Sequence, residues 1–175
     1  MGHSKYSYDA DGDLTAVTGS RTLSVAYDMQ NRPITLTLNG TSTAYTYDGL
    51  GNRAQAAGSQ THNYHSDHMG RLLFETNGSG NAMAYYIYSE TRLVGLKESG
   101  ARYFYHFDKI GNAVAITNSS GTVVNGYTYT PFGMLSNSSG TLYNPFTFAG
   151  AYGVMSEGGN AYFMKNRYYD ARTGK

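Results

Sequence analysis

Hydrophobic and polar residues alternate along most of this chain. In the stretch Leu23 to Tyr27, Leu23, Val25 and Tyr27 fall on one face of an extended strand and Ser24 and Ala26 on the other. From Arg32 to Gly40 the same period places Ile34, Leu36 and Leu38 together, opposite Thr35 and Thr37. No segment carries a helical period. The nearest, Asn81 to Glu90, is rich in aromatic and β-branched residues, which favours a strand. The alternation stops at short turn-like breaks, so the chain reads as antiparallel hairpins with strands of about five to seven residues.

The breaks recur. Tyr45-Thr46-Tyr47-Asp48-Gly49-Leu50-Gly51-Asn52-Arg53 is the clearest unit, and related stretches start at Tyr6, Val25, Asn63, Tyr103, Tyr127 and Arg167. The turn positions are Gly12, Asn31, Gly51, Gly70, Gly111, Gly133 and Gly174; the first four are 19 to 20 residues apart. The two gaps of 41 each leave room for a degenerate unit, one of them around Tyr85 to Leu93. A fixed period near twenty marks repeat architecture. Within a unit, Asp9, Asp28, Asp48, Asp67, Asp108 or Asp170 is placed to bond backbone N–H groups and start the turn. The glycine, or Asn31, then supplies a positive φ. A second break, such as Asn39-Gly40 or Asn77 to Asn81, divides each period, making one unit two strands and two turns.

Composition narrows the function classes. The 175 residues make one domain of ordinary size, with 22 Gly, 3 Pro, 18 Tyr, no Trp and no Cys. Without cysteine there is neither a disulfide framework nor a thiolate metal site. A net charge of +1 offers no electrostatic case for nucleic acid or an anionic membrane, and no apolar run is long enough for a membrane span. Met1-Gly2-His3 reads as a leader, and no apolar stretch of signal-peptide type follows it. Charged residues are only 14% of the chain, against about a quarter in ordinary domains, so Ser, Thr, Asn, Gly and tyrosine hydroxyls must build the polar surface.

The ordered motifs carry a resemblance. The Tyr-x-Tyr-Asp-x-x-Gly-Asn-Arg units resemble YD repeats, also called Rhs repeats, shared by bacterial Rhs proteins, toxin-complex C components and teneurins. From Tyr103 to Lys175, the succession Tyr-Thr-Tyr-Thr-Pro-Phe-Gly, Asn-Pro-Phe-Thr-Phe-Ala-Gly and Asn-Arg-Tyr-Tyr-Asp-Ala-Arg-Thr-Gly is similar to the Rhs repeat-associated core. The resemblance implies an all-β fold of hairpins wound into a spiral shell, with residues 1–102 as YD repeats and 103–175 as a core-like region continuing the same sheet. About eight or nine units correspond to one turn of such a spiral. In bacterial members the shell encloses a toxin, and in many the core releases it by an aspartyl-protease-like reaction; Arg167 and Asp170 match that core's Arg-Tyr-Tyr-Asp. The Asp-Pro-x-Gly segment that carries the further acids is absent. The resemblance places the parent protein outside the cell or at its surface.

Other candidates are weighed by residue type. His62, His65 and His68 are spaced three apart, which on a strand alternates faces rather than converging on a metal. One carboxylate, Asp170, cannot supply paired acid and base chemistry. Asn39, Asn77, Asn118 and Asn137 each stand in Asn-x-Ser/Thr and read as turn residues rather than glycan acceptors. No cofactor motif occurs. The expectation is a non-enzymatic structural module. Low charge and scarce proline leave its sheet rims unguarded, so it self-associates through strand edges into a closed oligomer, tube or filament. The rivals are an extracellular, adhesin-like carbohydrate-binding module built on the tyrosine pairs and a remnant of a self-cleaving core.

Overall fold

A computed structural model describes residues 4–19, 21–165 and 167–174; the Met1–His3 stretch read as a leader and Lys175 lie outside the described residues. Fourteen strands follow one another: β1 (Lys5–Tyr8), β2 (Leu14–Thr18), β3 (Leu23–Tyr27), β4 (Pro33–Leu38), β5 (Thr41–Tyr47), β6 (Arg53–Ala57) and β7 (Thr61–Ser66). They continue with β8 (Leu72–Asn77), β9 (Ala82–Ser89), β10 (Arg92–Glu98), β11 (Ala101–Phe107), β12 (Ala113–Asn118), β13 (Val123–Tyr129) and β14 (Leu135–Ser139). Each pairs antiparallel with its sequence neighbours, so the strand order in the sheet is the chain order. The sheet is open: β1 and β14 are its edges. With every connection a hairpin, all the Tyr-Asp turns lie at one end of the strands and all the second breaks at the other. Asn39-Gly40 (φ 50° and 85°) and Ser99-Gly100 (φ 48° and 83°) each close a two-residue loop at that other end.

Every hairpin at the Tyr-Asp end carries the same irregularity. The register slips by one residue at Thr15, Ile34, Ala54, Leu73, Val114 and Ser136, each three positions after its turn glycine or Asn31, and again at Val94 in the degenerate unit. A one-residue bulge reverses the facing of the residues before it. This corrects the simple alternation expected for Ile34, Leu36 and Leu38. Pro33 and Leu36 are buried while Ile34 is 40% exposed, because Ile34 is the bulged residue.

The chain leaves the large sheet after Ser139. It makes a single 3-10 turn, η1 (Gly150–Tyr152), and then a separate three-stranded sheet of β15 (Met155–Gly158), β16 (Ala161–Phe163) and β17 (Tyr168–Asp170). The core-like region therefore contributes β11–β14 to one sheet and β15–β17 to another, a correction to the single continuous sheet expected to residue 175. The 102/103 boundary falls inside β11. The physical reason for the break is the turn-rich Tyr143 to Gly153 segment, where Ala149 and Gly153 adopt left-handed backbone. This segment and the small sheet cover one face of the large sheet. Phe146, Met155 and Phe163 pack into a cluster with Leu72, Tyr86, Leu93, Leu96 and Ile116. Tyr168 reaches a second cluster of Val17, Leu23, Val25, Leu36 and Tyr45.

Candidate functional site

The turns repeat one hydrogen-bond plan. In the unit around Gly51, the Asp48 carboxylate Oδ1 accepts from the N–H groups of Leu50 and Asn52 at 2.9 and 2.8 Å, and Gly51 N–H donates to the Asp48 carbonyl at 3.0 Å. Asp9, Asp28, Asp67 and Asp108 make the same pairs of side-chain bonds, closing on Gly12, Asn31, Gly70 and Gly111. Asn31 has φ 57° and the glycines 80–87°, a region that side chains resist. Before Gly133 (φ 82°) the aspartate is replaced by Thr130, whose Oγ1 accepts from Met134 N–H. The last turn is one residue longer, running from Asp170 to Gly174 (φ 73°). Asn77 and Asn118 use the same plan at the opposite end. Burial pulls the Asp28, Asp48 and Asp67 carboxyls up, but the hydrogen bonds they accept outweigh it and hold them below the usual range.

At four of these hairpins a tyrosine next to the bulge ties neighbouring units together. Tyr27, Tyr47, Tyr88 and Tyr129 donate their hydroxyls to the carbonyls of Leu14, Pro33, Leu72 and Ala113 at 3.0, 2.7, 3.1 and 2.8 Å. Each of these carbonyls belongs to the residue just before the bulge of the preceding unit. A bulge disrupts the ladder locally, and the next unit's tyrosine supplies a donor at that point. Arg32 and Arg71 lie over the Tyr47 and Tyr88 rings at 4.6 and 5.6 Å.

Three buried polar clusters hold the C-terminal segment on the sheet. Arg53, 5% exposed, pairs with Glu157 and donates to the Tyr168 hydroxyl at 3.0 Å. Its guanidinium lies between the Tyr45 and Phe163 rings, at 4.0 and 3.7 Å. Tyr45 donates to Glu157 Oε2 at 2.5 Å. Burial works against the Arg53 charge, and Glu157 more than offsets it. Arg21 bridges Asp170 and the Gly159 carbonyl. Glu75, fully buried, accepts from Tyr86 at 2.6 Å and Tyr143 at 3.3 Å and meets His62 Nδ1 at 2.9 Å. Arg21, Arg53, Glu75 and Glu157 were not singled out from the sequence. Their signal was available: in a chain with so few charges, Glu75 interrupts the apolar run of β8.

A family model described as the teneurin YD-shell matches residues 75–175, more than half of the chain. The chain belongs to this YD-shell family. Among solved structures, this YD-shell chain is similar to the TcdB2-TccC3-TEV crystal structure, with TM-score 0.66 and 14% identity over 98% of the chain. It is also similar to the Tc holotoxin pore of Photorhabdus luminescens, with TM-score 0.63 and 14% identity over 96%. At that identity the likeness is one of fold. The chain spans 12% and 11% of the lengths of those two. No curated protein matches it in sequence.

The remaining candidates of this YD-shell chain separate in space. Arg167 and Asp170 line a cavity of about 430 Å³ shared with Tyr8, Tyr27 and Asp13. Asp13 is a second carboxylate that sequence reasoning missed; burial, then Asp9 and Asp11, push its pKa up. Asp170 is engaged on both oxygens, Oδ2 with Arg21 and Oδ1 accepting from Arg172 N–H at 3.0 Å. His62 faces Glu75, His65 stacks on Phe74 at 4.1 Å on the opposite face, and His68 sits in the turn after Asp67. Asn39 has φ 50° in its turn. Asn137 departs from its expected turn role: it lies in β14, paired with Thr128, because β14 extends to Ser139 before the chain bends at Gly140.

Proposed function

We propose that this chain is a non-catalytic wall segment of a larger β-shell, one that extends by adding strands at its edges. The observation that carries the reading is the open sheet. Among the described residues β1 pairs only with β2 and β14 only with β13, which makes both of them rims; on β14 the Leu135 N–H is taken by Asn160 Oδ1 at 2.8 Å. β1 carries one guarding charge, Lys5; β14, Leu135 to Ser139, carries neither charge nor proline and is exposed along most of its length. The short share of its structural relatives that the chain spans fits a segment of a longer wall. The rim partners are further YD-repeat strands or a second copy, within an extracellular or cell-surface shell that encloses a polypeptide cargo. The turns, tyrosine ties and buried ion pairs are structural, and Asp170 is held by Arg21 as an anchor rather than poised as an acid or base.

Sedimentation velocity over a wide concentration range tests this. Species larger than the 19.1 kDa chain grow with concentration, and the double variant Ser136→Lys/Ser138→Lys, which charges the β14 edge, suppresses them. A concentration-independent monomer contradicts edge association. Intact mass stays unchanged on long incubation; a truncated species that Asp170→Asn abolishes contradicts the non-catalytic assignment.

A further inference from the structure

The residue paired next to the bulge on the turn side of each hairpin at the Tyr-Asp end is Tyr8, Tyr27, Tyr47, Ser66, Tyr88, Phe107 and Tyr129. Only Ser66 lacks a ring. Its neighbours on either side in this series, Tyr47 and Tyr88, bond the carbonyls of Pro33 and Leu72. By the same register a tyrosine at position 66 would reach the carbonyl of Arg53, the residue before the bulge at Ala54. A cavity of about 310 Å³ occupies this place, lined by Arg53, Tyr64, Ser66, Leu72, Tyr88 and Phe163 among others. The cavity opens to solvent, and its volume exceeds the roughly 150 Å³ of an apolar cavity that takes up benzene.

Two buried polar residues form part of this wall. Asn52 and Arg53 are each 5% exposed, and both line the cavity. Asn52 Oδ1 and Arg53 Nε have no hydrogen-bond partner among the described residues, but both are closed off from solvent, so the acceptor for a ligand hydroxyl is the one the register names, the Arg53 carbonyl. At the matching turn, Asn112 Oδ1 accepts from Ala149 N–H at 2.9 Å, whereas Asn52 Oδ1 is packed against Gly70, where an added Cβ would meet both it and Lys165 Nζ at 2.6 Å. A phenolic hydroxyl both donates and accepts, and the Tyr64, Tyr88 and Phe163 rings supply apolar and aromatic contact for its ring.

We infer that the cavity beside Ser66 is a binding site for a para-hydroxyphenyl ring, the group that the repeat supplies from within at the other tyrosine positions. The ligand is either the tyrosine side chain of a polypeptide or a free small phenol. This site is independent of edge association.

The test uses the full chain, isotope-labelled and titrated with p-cresol and with N-acetyl-tyrosinamide while backbone amide resonances are followed. Both probes produce saturable shifts centred on Asn52, Arg53, Ser66 and Leu72. Tighter binding of N-acetyl-tyrosinamide identifies a polypeptide tyrosine as the source, and equal or weaker binding identifies a free phenol. Ser66→Tyr fills the site from within, raises Tm and weakens both probes at least about tenfold. Ser66→Phe, which places at this position the ring that Phe107 carries in its own unit, is a second filled variant and blocks the probes in the same way. Absence of saturable shifts in the unmodified chain, or shifts that persist in the filled variants, overturns the proposal. Equal binding of N-acetyl-phenylalaninamide overturns recognition of the hydroxyl.

Discussion

The large sheet and the C-terminal segment are held by different physics. From Lys5 to Ser139 nearly every stabilising polar contact is local: aspartate to its own turn, tyrosine to the unit before. The four tyrosine ties span only 13 to 16 residues. From Gly140 onward the decisive contacts are distant. Arg53 reaches Glu157 across 104 residues and Arg21 reaches Asp170 across 149. The sheet is thus a repeated device in which each unit contributes a small, similar amount. The C-terminal segment depends on a few buried charges, each with much at stake. Losing one member of a buried pair strands the other, which costs far more than a lost surface contact.

Alkali reaches both regions and has the largest expected effect. Burial, first of all, raises the pKa of Tyr27 to about 12 and of Tyr88 and Tyr162 likewise to about 12, and it pushes Tyr45, Tyr86 and Tyr105 higher still. A tyrosine whose folded pKa exceeds its unfolded value near 10 keeps its full contribution below that value and loses it as pH climbs. The absorbance of the buried tyrosinates then appears above pH 10 in one cooperative step, coincident with loss of the β-sheet circular dichroism signal. Independent ionisation of the buried tyrosines near pH 10 with the sheet intact contradicts their burial.

Next comes Glu157→Ala. It leaves the Arg53 charge buried between two rings and destabilises by about 3–5 kcal/mol, read from denaturant unfolding. A loss below about 1 kcal/mol would place this ion pair with ordinary surface pairs and erase the contrast between the regions. Within the sheet, Gly51→Val forces a β-branched residue to φ 80° and costs about 1–3 kcal/mol. The control is Thr46→Val on the exposed side of β5, which changes stability by less than about 0.5 kcal/mol. Equal midpoints for the two variants would remove the special role of the turn.

The same contrast explains what could be read in the sequence. Strand alternation, period and turn glycines are local properties, so the hairpin order and the all-β class were legible from Asp48, Gly51 and their counterparts. The bulge at Ile34 was not, because one extra residue leaves both strands alternating and changes only their phase. The small sheet was missed for a related reason. Nothing in Met155 to Asp170 says whether its strands join β14 or pair among themselves. The pairing of Arg53 with Glu157 depends on how the segment folds back, and one sequence holds no record of that. Ser66 was visible as a break in the tyrosine series, but its meaning needed the hydroxyl-to-carbonyl tie seen at Tyr47 and Tyr88.

That tie between units is the central claim, and removing its hydroxyls tests it most directly. Tyr27→Phe, Tyr47→Phe, Tyr88→Phe and Tyr129→Phe, made singly and together, keep every ring and delete only the donors. Each single change is expected to cost about 0.5–1.5 kcal/mol, and the four are expected to add approximately, since each serves a separate carbonyl. Tyr85→Phe, on a side chain 47% exposed, is the matched control and should leave the denaturant midpoint in place. A fourfold variant as stable as the Tyr85→Phe control would contradict the account.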